Sequence, residues 1–187
     1  MTTYTCNCKN NVTTTTACNC DCKDTECLLF FYNKKNLFKD CQALTAFMSR
    51  NIATEQSVID DYLLTDDEET LFAECLTRSL AALTDIILDL TAGICCAVNG
   101  DADSTANDLG REEGKYIDIY LRNNGAYNAN ALAGVDTALH DYLAAGAVAE
   151  FYLTSVNKDL LAIATARRDG AAAALDRRLM LLRKCKM

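Results

Sequence analysis

The chain has 187 residues, half of them hydrophobic and 24% charged, with no Pro, no Trp and a net charge of −8. That apolar fraction is enough for a core and excludes wholesale disorder. The apolar stretches at 83–98 and 143–156 are interrupted by Asp85, Asp89 and Glu150 and are too short to cross a membrane. Abundant Ala and Leu, the lack of Pro and the scarcity of β-branched runs after residue 60 favour an all-α fold. The expectation is a helical bundle of four to five helices behind an extended Cys-rich N-terminal arm.

Residues 1–27 form that arm and residues 28–187 the helical domain. The arm, MTTYTCNCKNNVTTTTACNCDCKDTEC, has almost no aliphatic side chains and cannot build a core of its own. Its start lacks the basic and apolar regions of a secretory signal, so cytosolic synthesis is expected, where thiols are normally kept reduced. Six of the eleven cysteines lie here: Cys6, Cys8, Cys18, Cys20, Cys22 and Cys27. Two thiols from each of two Cys-x-Cys knuckles can surround one tetrahedral Zn²⁺, although the bite is tighter than the usual Cys-x-x-Cys. Disulfides and free thiols are the alternatives, because spacing does not fix connectivity.

Leu37, Cys41, Leu44 and Met48 fall at helical spacing, so residues 28–50 read as an extended apolar entry followed by a short amphipathic helix. A second short helix is expected from Thr54 to Tyr62. Thr65 followed by Asp66-Asp67-Glu68-Glu69 places a capping hydroxyl and acids at a helix start. The apolar face from Leu71 to Leu90 extends that helix to about Val98. Asn99–Gly110 reads as a loop, and residues 111–122 resume a helical period through Tyr116, Ile119 and Tyr120. Residues 129–156 make the most apolar helix, and Asn157 caps a last one running to Lys184, with Gly170 in its middle and basic residues in its final turn.

Asp101, Asp103, Thr105, Asn107 and Glu112 occupy calcium-ligating positions of an EF-hand register. Ala106 stands where the turn needs Gly, and Asp108 where a hydrophobic residue is usual, so an ordinary solvated loop is expected. Cys41 and Cys75 lie on apolar faces, Cys95 and Cys96 diverge on a helix, and Cys185 lies in the exposed basic C-terminus. The default for the buried ones is a small hydrophobe. His140 is the only histidine, and the paired acids sit at helix starts, as capping and solvation predict. With no Glu-x-x-His motif and no Gly-rich phosphate loop, no enzymatic activity is expected.

Charge is uneven along the chain. Residues 54–120 carry sixteen acids and three basic residues, a net of −13, whereas residues 121–187 carry a net of +3. The acidic middle disfavours general nucleic-acid binding, since phosphates are repelled. A basic end beside an acidic middle suits head-to-tail contact between copies of one chain; the plainer alternative is a solvated acidic face.

The stretch VDTALHDYLAAGAVAEFYLTSVNKDLLAIATARRDGAAAALDRRLMLLRK (135–184) resembles the C-terminal part of small all-helical virion proteins of tailed phages. Its D-x-A-L-x-D-Y-L helix with an A-E-F-Y end is followed by an Ala-rich helix closing in Arg/Lys. TDDEETLFAECLTRSLAALTDII is similar to the first helix of head–tail connector (adaptor) proteins of those phages. The resemblance covers about two-thirds of the chain, and the Cys-rich arm has no counterpart in it. It implies a structural protein of the virion, assembled in the host cytoplasm, whose copies form a ring between portal and tail through which DNA passes without specific binding. The charge separation assigns Arg177, Arg178, Arg183, Lys184 and Lys186 to contacts with the next copy, and the resemblance implies contacts with a portal or tail neighbour instead. The competing reading is a helical interaction module that binds zinc on its arm.

Overall fold

The computed structural model describes residues 4–5, 26–50, 62–87, 91–96, 115–122, 129–155 and 157–183. Among them the order is β1 (Tyr4–Thr5), β2 (Glu26–Asn33), α1 (Lys34–Arg50), a 3-10 turn (Asp66–Glu68) leading into α2 (Glu69–Ile86), β3 (Thr91–Cys96), β4 (Tyr116–Arg122), a 3-10 turn (Ala129–Ala131), α3 (Leu132–Leu153) and α4 (Lys158–Arg183). The described residues are mostly helical, as the composition predicts. The expected short helix from Thr54 falls outside the described residues apart from Tyr62, and so does the loop of Asp101–Glu112.

Helix α3 is the centre. Fourteen of its 22 residues are buried, and from Tyr142 to Ala149 every one is, so that stretch lacks the polar face of a surface helix. Helices α1, α2 and α4 all pack on it. Close approach of α2 rests on Gly146, where a Cβ would collide with Ser79 Oγ. Helix starts follow local chemistry. Asn33 Oδ1 accepts the Asn36 N–H at 3.1 Å at the head of α1. Glu68 Oε2 accepts the Thr65 N–H at 2.8 Å ahead of α2. Asn157 Oδ1 accepts the N–H groups of Asp159 and Leu160 at 3.0 and 3.1 Å, capping α4 as its sequence predicts.

The bundle is not purely helical. A four-stranded antiparallel sheet has the order β1-β2-β4-β3. This corrects two expectations. Residues 116–122 form a strand, not a helix: Ile117, Ile119 and Leu121 alternate onto one face and pair with Tyr32, Phe30 and Leu28 of β2, all buried. The helix that was to reach Val98 ends at Ile86, and 91–96 adds strand β3 beside β4, with a register shift between Thr91 and Gly93. Phe30 and Tyr32 share one contiguous core with α1, α2, α3 and α4.

The segment before α2 is fastened by a buried polar network. Tyr152 Oη donates to the Tyr62 carbonyl at 3.1 Å and lies 3.4 Å from Ser49 Oγ. Thr45 Oγ1 accepts the Leu64 N–H at 3.2 Å and donates to the Gln42 carbonyl at 2.9 Å. These hydroxyls satisfy backbone groups that burial would otherwise leave unpaired.

Candidate functional site

Helices α1 and α4 lie on either side of α3 and leave between them a groove of about 870 Å³. Small residues of α3, among them Gly134, Ala138 and Ala145, form its floor. The α1 wall carries Asp40, Leu44 and Phe47; the α4 wall carries Arg167, Ala171, Ala174 and Arg178. Phe47 is 62% exposed, an aromatic side chain standing at the rim with no core to fill.

The rim is electrically divided. On one side His140 Nε2 stands 3.1 Å from Asp40 Oδ2, and its Nδ1 is 3.9 Å from Asp141 Oδ1. Behind this histidine the Tyr32 ring lies 5.8 Å away, its hydroxyl donating to Asp136 Oδ1 at 2.9 Å. Burial, with the Asp136 charge adding to it, pushes the Tyr32 phenol well above its ordinary range, so it keeps the proton that it donates to Asp136. On the other side Arg167 and Arg178 are exposed, and Arg178 lies over Gly134. Neither has an acidic partner within 4.0 Å among the described residues.

His140 thus ties α1 to α3 at the groove's edge. It has no nucleophile in Cys41, although that residue follows Asp40 directly. The Cys41 side chain is fully buried and its thiol donates to the Ala144 carbonyl at 3.6 Å. Burial first, then the charges of Asp40 and Cys75, push the Cys41 thiol up to about 12. Burial likewise holds Cys75 at about 11. Both are free thiols and structural hydrophobes, as the apolar faces predict. The groove supplies apolar surface, charge and an aromatic side chain, the features a binding partner uses.

Of the basic residues expected at an interface, Arg177 and Arg178 are exposed on α4. Arg177 Nε donates to the Ala173 carbonyl of its own helix at 3.2 Å, whereas Arg178 faces the groove. Arg183 is the last residue of α4; Lys184 and Lys186 lie outside the described residues. Of the arm cysteines, Cys27 lies in β2, its Cα opposite Tyr4 and Arg122. Cys6, Cys8, Cys18, Cys20 and Cys22 lie outside the described residues, as does Cys185. Among the described residues no group of three His, Cys, Asp or Glu side chains can hold a metal ion. No helix among them is long and apolar enough to cross a membrane.

Sequence reasoning missed Asp40, Phe47 and Arg167 as site residues. Phe47 carried a signal, since it falls off the Leu37, Cys41, Leu44, Met48 stripe. Arg167 carried one too: it stands eleven residues before Arg178, close to three whole turns on the same helix. Comparison of the chain with known protein families, curated proteins and solved structures finds no match.

Proposed function

We propose that this chain is a structural protein of a tailed-phage virion whose copies form a ring at the head–tail junction, between portal and tail, through which DNA passes. The observation that carries the reading is the separation of charge between two helices on the same central helix. From Asp66 to Asp85 there are six acids and one Arg, whereas α4 has six basic residues and three acids. Unlike patches on one molecule make heterologous contacts, and these close into rings when the rotation permits.

The groove and its rim add support. Exposed ion pairs contribute only about 0–1 kcal/mol each, so apolar area must supply most of the affinity. Phe47, Ile163, Met180 and Leu181 are large apolar side chains left at least 44% exposed, on the helices that carry the basic surface or flank the groove. Charge then sets register and suppresses wrong pairings. Acidic surface not covered by a neighbour would repel the DNA backbone and let it slide.

The test is assembly. Sedimentation velocity and native mass spectrometry of the full chain, concentrated to about 1 mM, should show a closed oligomer of one size. Arg177→Glu with Arg178→Glu should weaken it about tenfold or more while leaving the helical circular dichroism unchanged. A chain that stays monomeric at that concentration, or that occurs as a single copy in a purified particle, overturns the ring.

A further inference from the structure

We infer that the groove edge Arg167–Ala171–Ala174–Arg178 on α4 of one copy receives the stripe Glu74–Thr77–Ala81–Asp85 on α2 of the next. The inference rests on the ring reading for its second copy, and goes beyond it by naming both sides of the contact.

The two helix edges match in length, in charge and in bulk. Arg167 and Arg178 are eleven residues apart, about 16 Å along the axis and about 20° off a common line. Glu74 and Asp85 are also eleven residues apart, with the same rise and the same angular offset. Two helices laid side by side can therefore join both ends at once, in either direction. Between the arginines stand Ala171 and Ala174; between the acids stand Thr77 and Ala81. Small residues in both middles let the two helix backbones approach, with Arg78 the one long side chain at the edge of the α2 stripe.

All four α2 residues are exposed, and so are both arginines. Within the copy, Glu74 has only Arg78 at 4.0 Å, with both side chains more than half exposed. Among the described residues Asp85, Arg167 and Arg178 have no ion-pair partner within 4.0 Å. The opposite wall of the groove settles which side the acids take. Asp40 and Asp141 repel an incoming acidic stripe toward α4. Arg78, the one basic residue of α2, stands one turn from Glu74 on nearly the same face and stays paired with it, leaving the stripe a net negative charge.

The full-length chain tests this through two charge-reversed variants, Arg167→Glu with Arg178→Glu, and Glu74→Lys with Asp85→Lys. None of the four residues is buried, so circular dichroism should stay native. Each variant alone should associate about tenfold or more weakly than the parent in sedimentation velocity, because every junction then joins like charges. Mixed one to one, the two should associate with each other as tightly as parent copies do, because every junction between unlike variants again joins opposite charges. Benzoylphenylalanine placed at Ala174 of the otherwise unchanged chain should photo-cross-link to peptides of 69–86 from another copy. Association unaffected by either variant, no recovery on mixing, or cross-links to another segment would overturn this contact while leaving a ring built on other surfaces. A parent chain that never self-associates would overturn both.

Discussion

Ser79 and Gly146 show how closely α2 and α3 are fitted. Ser79 Oγ is buried without a hydrogen-bond partner, alone in this among the side chains of the described residues. It stands where a Cβ on Gly146 would have to go, and that Cβ would lie 3.0 Å from the Ser79 Cβ. The glycine is therefore a packing requirement. Gly146→Ala should cost about 1–3 kcal/mol by overpacking, read as a lower urea midpoint with an unchanged slope. Ser79→Ala breaks no hydrogen bond and removes a stranded hydroxyl, so it should be neutral or stabilising. It should also return part of the loss when combined with Gly146→Ala, because it takes away the atom in collision. A Gly146→Ala protein as stable as the parent would mean that the two helices part easily, and that the small residues of α3 do not set their distance.

Helix α4 joins a legible start to an unexplained middle. Asn157 satisfies two N–H groups at its head, and Asn157→Ala should lower stability by about 1 kcal/mol. Gly170, thirteen residues further on, is exposed, and nothing lies within 4 Å of the Cβ it lacks. Gly170→Ala should raise stability by about 0.5–1 kcal/mol, since the folded chain needs no glycine there. Thermal melts of the two variants should shift in opposite directions; a destabilised Gly170→Ala would refute the helix geometry at that turn. The caps at Thr65 and Asn157 and the apolar helix within 129–156 were legible because they are local, whereas the cap at Asn33 was not singled out. The strands were not legible. Tyr116, Ile119 and Tyr120 satisfy a helical spacing, while Ile117, Ile119 and Leu121 satisfy an alternating one. What decides between them is β2, some ninety residues earlier, which supplies cross-strand partners that no local window contains. The groove was hidden for the same reason. Arg178 stood out in a basic run, but Asp40 and Phe47 join it only because α1 and α4 flank the same helix.

At the scale of the whole molecule, stability and assembly draw on different forces. The core is a single apolar cluster running from Leu28 to Leu182, and the ion pairs among the described residues, Glu74 with Arg78 and Arg168 with Asp169, lie at the surface, as does His140 beside Asp40 and Asp141. Pairs of that kind contribute little, so folding should respond weakly to salt. The surface differs, with acids gathered before and along α2 and cations along α4. Screening shortens the reach of such charges from about 10 Å at 0.1 M salt to about 3 Å at 1 M. A sedimentation equilibrium series from about 0.05 to 1 M NaCl should thus show self-association falling about tenfold or more, while the melting temperature of a non-assembling variant such as Arg167→Glu with Arg178→Glu hardly moves. The sign discriminates. If charge opposes association, as it would where acidic faces meet, salt strengthens the oligomer, since the chain carries a net −8 and like copies repel. If apolar side chains such as Phe47 and Met180 do all the joining, salt leaves the contact unchanged or slightly tighter. Only a contact in which opposite charges meet, as the acids of α2 and the arginines of α4 would, loosens as ions are added.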